Sequence, residues 1–369
     1  MAKKILIQVP SPFAANNAIF ERDANNMTEP WRVLKERLTT LGYEVSTADN
    51  NSLDDCEWIV FVDSLSMYGT GQSNILKRFA RHLIKKISGK KDRHPPYPNR
   101  PLYEEAVARG MKNKMALFLW EGAVVSPYNY KPKIWNKFDH IFTWNDDLVD
   151  EKKFFKFYLP TPNQSRPKSV PFEQKKLLVN ISANKWYTGP HELYKARVQT
   201  SLYFDKHHPN DFDLYGARWH TAITRSQKYF PSLIPRFASY RGKAENKMET
   251  LAKYKFALSY ENVADNKGYV TEKIFDIFQA GSVPIYWGAP NIENYVNPEA
   301  YVDRRKFKND AELAKFLFDM TKEEYEKMVS AGQAYLQTDA CKKFFPEYFA
   351  TRFIEVLQIR QVFPAPQRI

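Results

Sequence analysis

Cysteine is nearly missing from this chain. Only Cys56 and Cys341 occur in 369 residues, far apart and without neighbours at metal-ligand spacing, so neither a disulfide framework nor a zinc site is implied. A reducing compartment is the default. No apolar run reaches membrane-spanning length, and the opening MAKKILIQVP runs straight into a strand-like segment without a secretory h-region. The expected location is cytoplasmic, or peripheral on the inner face of a membrane. No Ser-His-Asp nucleophile set is recognisable, and His191, His207, His208 and His220 show no ligand spacing. Asp211-Phe212-Asp213 has a D-x-D form, but it leads into a strand, where alternation places both carboxylates on one face by ordinary patterning. Asn145-Asp146-Asp147 reads as a turn, and Tyr68-Gly69-Thr70-Gly71 as a loop. No metal is expected.

What is present is an ordinary globular composition, 43% hydrophobic and 26% charged, at a length that suits two domains. The aromatic share of 15% supplies cores first and sugar-stacking faces second. Lysine and arginine (55) outnumber aspartate and glutamate (42), and the net charge of +13 implies acidic partners: nucleotide diphosphates, nucleic acid or an anionic membrane. The basic residues are scattered over both halves and no nucleic-acid motif appears, which makes a nucleic-acid-binding protein the weaker class. Residues 74–87 predict an amphipathic helix, with Ile75, Leu76, Phe79, Leu83 and Ile87 on one face. Its other face carries Lys77, Arg78, Arg81, Lys85 and Lys86, a surface for an anionic bilayer or a lipid-linked acceptor.

Strands are expected at 5–9, 43–47, 58–62, 115–120 and 140–143, with a helix at 31–41. The proline-rich stretch 159–171 (LPTPNQSRPKSVP) marks a linker, after which the pattern restarts. Strands follow at 177–181, 212–215, 256–260 and 283–287, and helices at 192–204, 245–253, 271–280 and 346–359. Strands alternating with helices predict parallel, doubly wound sheets. The implied domains are 1–165, 172–345 and a C-terminal helix and tail, 346–369. Two such halves across a hinge would face one another over a cleft.

The most informative stretch is 254–288, YKFALSYENVADNKGYVTEKIFDIFQAGSVPIYWG. It reads strand, polar loop, helix, strand, and phosphate-bearing ligands bind where such a loop meets a helix N-terminus. Glu261, Asn262, Tyr269, Glu272 and Lys273 occupy those places. A carboxylate such as Glu272 accepts two hydrogen bonds from vicinal ribose hydroxyls, and an ammonium such as Lys273 neutralises a diphosphate. Lysine in a first turn opposes the helix dipole, a conflict that an anion bound at the spot would remove. Earlier in the chain Glu121 ends an apolar strand between Trp120 and Gly122, where a carboxylate is rigidly placed and can be partly desolvated. It reads equally as a general base and as a solvated glutamate at a turn.

These residues resemble the signature of family 10 glycosyltransferases, the α-1,3/4-fucosyltransferases, here of bacterial type. Phe256, Leu258, Tyr260-Glu261-Asn262, Tyr269 to Lys273, and Ala280 to Gly288 carry the match. It is detailed in the C-terminal half and extends to the N-terminal half only in outline. The resemblance implies the GT-B architecture of two Rossmann-like domains. It implies an inverting transfer of L-fucose from GDP-fucose to a glycan hydroxyl, the 3-OH of N-acetylglucosamine or a related sugar, without a metal or other cofactor. It places the general base at Glu121 and the donor contacts at Arg197, Asn262, Tyr269, Glu272 and Lys273. Arg197 grips the pyrophosphate, with Lys195 the weaker candidate on the same helix. Ser182, with the amides of the loop after strand 177–181, is a further phosphate candidate, and Lys185 in that loop a possible donor-sugar contact. Glu261 stays open between a donor-sugar contact and a structural role. The animal members' membrane anchor has no counterpart at the start of this sequence. Another nucleotide-linked deoxyhexose, used in surface polysaccharide or lipopolysaccharide assembly, is the alternative donor.

Overall fold

The computed structural model describes residues 3–10, 14–23, 26–68, 101–187 and 189–362. The helix expected at 74–87 and most of the 68–71 glycine motif lie outside the described residues. The chain forms two compact units, residues 1–157 with 346–369, and residues 158–345.

The first unit is built on a parallel sheet in the order β2-β1-β3-β4-β5-β6. Its strands are β1 (Lys4–Gln8), β2 (Glu44–Thr47), β3 (Cys56–Val62), β4 (Met115–Leu119), β5 (His140–Thr143) and β6 (Phe154–Lys156). All five residues of β4 are buried, as a strand covered on both faces requires. Phe118 of β4 stacks on Phe142 of β5 with centroids 4.2 Å apart, and Phe353 from the helix Pro346–Val356 lies parallel to both. Trp31, on the helix Glu29–Thr40, meets Phe349 edge-on at 5.3 Å. Those aromatic contacts make the C-terminal helix part of the first unit, where the sequence pattern had set it apart.

The second unit carries the parallel sheet β11-β10-β9-β7-β8. Its strands are β7 (Lys176–Ile181), β8 (Phe212–Tyr215), β9 (Tyr254–Tyr260), β10 (Val283–Trp287) and β11 (Val302–Asp303). The chain leaves β7 towards β8 on one side and returns as β9 on the other, so the winding reverses between β7 and β9. In the first unit the reversal lies between β1 and β3. Ligands of such sheets bind at the carboxyl ends of the strands flanking a reversal. The edge strands β6 and β11 escaped the sequence pattern because two or three residues are too few to show alternation. The helix expected from 192 begins instead at Tyr194, because Glu192 turns back and accepts the amides of Tyr194 and Lys195 at 2.8 and 3.2 Å.

Both cysteines are free and buried, one in each unit. Burial pushes the thiol of Cys56 up to about 11 and that of Cys341 to about 12, so neither is a thiolate at neutral pH.

Gly216, after β8, holds φ at +124°, and a Cβ there would lie 2.0 Å from the Ser182 carbonyl oxygen. Only glycine lets the two strand-end loops approach so closely. Gly216→Ala is therefore expected to cost at least about 2 kcal/mol, read as a lowered urea midpoint. Gly242→Ala is the comparison: φ is +81° but nothing lies within 4 Å of the added carbon. It should cost only about 1 kcal/mol, the conformational strain alone.

Candidate active site

In the second unit the site is assembled where the winding reverses. Glu261 follows β9 directly and is fully buried. One carboxylate oxygen accepts the amide of Thr271 at 2.9 Å. The other accepts the Thr271 hydroxyl and the Lys273 ammonium, both at 2.9 Å. Thr271 is the N-cap of the helix Glu272–Gln279. The anion that offsets Lys273 in the first helical turn is thus a protein carboxylate, supplied by Glu261. Lys273 also donates to the Thr271 hydroxyl at 2.8 Å and lies 3.7 Å from Glu272. Burial alone would lower its pKa, but Glu261 and Glu272 outweigh that and hold the ammonium above its ordinary value. For Glu272 burial works upward and is outweighed by Lys273 and Lys247, leaving its pKa below the usual carboxylate value. Both side chains keep about a quarter of their surface exposed, 24% and 25%.

Arg197 reaches the same place from the helix Tyr194–His207. It is 6% exposed, and one terminal nitrogen donates to the carbonyls of Tyr260 and Glu261 at 2.6 and 2.7 Å and to the Asn262 side chain at 3.2 Å. Its guanidinium lies over the Tyr194 ring, 4.9 Å from the centroid. Asn262 passes the connection on, donating to the Tyr269 hydroxyl at 3.2 Å. Arg197, Asn262, Tyr269, Glu272 and Lys273 are therefore one connected group around Glu261. Gly288, the last residue of the sequence signature, makes room for it: a Cβ there would fall 2.5 Å from the Glu261 side chain.

Ser182 and Lys185 stand apart from that network. The Ser182 amide is used by Tyr215, its carbonyl accepts the Trp219 indole at 2.7 Å, and its buried hydroxyl has no partner among the described residues. The Asn184 amide is bonded to the Ala217 carbonyl. The loop thus offers fewer free amides than its sequence implied, and Lys185 is exposed. Asp213 is occupied inside the protein by Lys176, Arg241 and the Tyr254 hydroxyl. Among the described residues no group of three or more His, Cys, Asp or Glu is placed to hold a metal ion.

In the first unit Glu121 lies two residues after the end of β4, past Trp120, and is partly buried. What holds it is Asp63, at the end of the neighbouring strand β3. One Asp63 oxygen accepts the amides of Trp120 and Glu121 at 2.8 and 3.0 Å and the Asn129 amide at 2.5 Å. Asn129 also donates to the Glu121 carbonyl at 3.2 Å and accepts the Ser64 amide at 2.8 Å. The Trp120 ring stacks on Trp31 at 5.3 Å. Asp63 is 5% exposed, and burial raises its pKa against the pull of the three donors.

Sequence reasoning missed Asp63, Asn129 and Lys247. Lys247 forms an ion pair with the buried Asp276, one turn beyond Glu272. Two acids at i and i+4 on one helix face repel, which was a readable sign that a cation must cover them. Which cation it would be depended on the packing.

Two measurements test these networks. Replacing Lys273 by Met strands a buried carboxylate and is expected to cost about 3 kcal/mol. The lowered carboxylate of Glu272, which Lys273 holds down, contributes above its unfolded pKa and fades as pH falls through the folded one. The raised ammonium contributes below its unfolded pKa and fades as pH rises through the folded one. The difference in urea midpoint between wild type and Lys273→Met should therefore be widest between about pH 5 and pH 10 and narrow on both sides. Asp63→Ala leaves two adjacent amides without an acceptor and should cost about 2 kcal/mol, most of it recovered in Asp63→Asn, whose amide oxygen can accept the same hydrogens.

Comparison with known proteins follows the same division of the chain. Residues 179–338 match the profile of the glycosyltransferase family 10 (fucosyltransferase) C-terminal domain. An alpha-(1,3)-fucosyltransferase of Helicobacter pylori is 42% identical over 73 residues, 20% of this chain and 15% of that protein. An alpha-(1,4)-fucosyltransferase of Arabidopsis thaliana is 45% identical over 67 residues, 18% of this chain and 16% of that one. The aligned stretch thus spans less than a fifth of each relative. In structure the chain is similar throughout to an alpha1,3-fucosyltransferase solved with GDP-fucose. That match has a TM-score of 0.53 and 15% identity and covers 99% of this chain and 93% of the other. Its likeness establishes the fold of the whole chain, and the sequence signature with the family profile establishes that residues 179–338 are a family 10 glycosyltransferase C-terminal domain.

Proposed function

We propose that the protein transfers L-fucose from GDP-fucose to a glycan hydroxyl, such as the 3-OH of N-acetylglucosamine, with inversion and without a metal ion. The observation that carries this reading is the grouping of Arg197, Lys273 and Glu272 around Glu261 beside a helix N-terminus: Arg197 on its main-chain carbonyl, Lys273 on its carboxylate and Glu272 next to Lys273. Among the described residues the other guanidinium nitrogens of Arg197 have no hydrogen-bond partner, and Lys273 and Glu272 stay partly exposed. Two fixed cations meet the negative charge that develops on a departing nucleoside diphosphate, and Glu272 accepts hydrogen bonds from its ribose. In this reading the second unit holds the donor and Glu121 of the first takes the proton of the attacking hydroxyl. The bond from acceptor oxygen to the anomeric carbon forms as the bond to phosphate breaks, and GDP leaves with the electron pair. The relatives named as fucosyltransferases and the structure solved with GDP-fucose support fucose as the sugar.

Glu121→Ala should lower transfer by about 10²–10⁴-fold, the range of general-base catalysis, while keeping GDP-dependent thermal stabilisation. Transfer at the wild-type rate in that variant would remove Glu121 from the mechanism. Activity should persist in EDTA, and activity lost in EDTA and restored by manganese would refute the metal-free reading. Incubation with a panel of nucleotide sugars and small acceptors, read by mass spectrometry, tests the donor and acceptor together.

A further inference from the structure

Between β8 and the helix Lys247–Ala252 the chain makes a long excursion that the proposed chemistry does not use. No aspartate or glutamate occurs between Asp213 and Glu245, while Arg218, Arg225, Lys228, Arg236, Arg241 and Lys243 do. Arg241 is paired with Asp213 at 2.7 Å, and among the described residues the other five form no ion pair and are exposed.

The excursion is anchored at its base. Trp219 and Phe237 are 1% and 4% exposed and meet edge-on at 5.3 Å, and His220 accepts the Phe237 amide at 3.2 Å. The Trp219 indole bonds the Ser182 carbonyl, in the loop after β7. The far end is held as firmly. Thr224 and Gln227 form a capping box on the turn Arg225–Tyr229, and Gln227 also donates to the Leu233 carbonyl at 3.3 Å. On this pinned tip Tyr229, Phe230 and Leu233 are 67%, 63% and 55% exposed, the most exposed large hydrophobic side chains among the described residues.

Single exposed apolar residues are common on protein surfaces. Three within five positions, on a turn ordered by its own hydrogen bonds and flanked in sequence by the unpaired cations Arg225, Lys228 and Arg236, are more than scattered exposure. The tip is a handful of side chains, too small for the ~800 Å² per partner of a stable protein interface. A bilayer asks for no such area or shape. Aromatic and leucine side chains settle at headgroup depth while arginine and lysine stay with the phosphates. We propose that residues 218–236 dock the protein on an anionic membrane surface through Tyr229, Phe230 and Leu233. The base of the excursion then ties the docked tip to the strand-end loops of the second unit.

Cosedimentation of the full chain with vesicles tests this without reference to transfer activity. The expected result is binding to phosphatidylcholine vesicles that contain phosphatidylglycerol, none to phosphatidylcholine alone, and weakening as salt is raised. The triple variant Tyr229→Ser, Phe230→Ser, Leu233→Ser should bind at least about tenfold more weakly, with its melting temperature and GDP stabilisation unchanged. Arg225→Gln with Lys228→Gln should also weaken binding, and this pair carries the test if the triple variant does not fold. Failure of wild type to bind anionic vesicles would overturn the proposal. Wild-type binding by both variants would overturn it too, by placing the contact elsewhere, as on residues 74–87. So would a triple variant that loses only self-association in size-exclusion chromatography, which would make the tip a protein contact.

Discussion

A single buried carboxylate organises the second unit. Glu261 is fully buried at the end of β9 and spends its two oxygens on the amide and hydroxyl of Thr271 and the ammonium of Lys273. That anion sits at the positive end of the Glu272–Gln279 helix dipole, and it permits a lysine in the first turn that the dipole would otherwise disfavour. The main-chain carbonyl of the same residue holds Arg197, so one residue fixes the spacing of two cations. A carboxylate this deep is tolerable only because each oxygen is bonded. Gly288 and the amide of Glu261, which donates to the Trp287 carbonyl at 2.7 Å, register the whole group against β10.

The first unit uses the same device at a smaller scale. Asp63 ends β3 as Glu261 ends β9, and its carboxylate collects main-chain amides, here from the residues that end the neighbouring strand. In both cases the side chain proposed to do chemistry does not hold itself in place. A second carboxylate, buried and accepting three donors, holds the backbone from which it projects. Such a division leaves the reactive group partly exposed while its position is set by hydrogen bonds shielded from water.

Much of this was legible in the sequence where the signal is local. The strand at 140–143, the strand at 212–215 and the strand at 283–287 have the predicted bounds because each is a compact apolar run between turn residues. The parallel, doubly wound character of both sheets followed from alternation alone. Glu272 and Lys273 were recognisable because a charged pair opening an apolar helix needs a reason. Asp63 was not, since one aspartate after a strand looks like any turn, and its meaning depends on the strand that lies beside β3. Lys247 was illegible for the same cause: its partner Asp276 is distant in sequence and is met only when two helices pack.

The sequence by itself determined the periodicities, hence the β/α order and the family signature, because these depend on neighbours a few positions apart. Tertiary structure decided which carboxylate neutralises Lys273, which residue steadies Glu121, and that residues 346–356 complete the first unit. Those outcomes rest on hydrogen bonds and ring contacts between segments brought together by the winding of the sheets. No local pattern encodes such pairings, since the free energy that selects them exists only once the interior has closed around them.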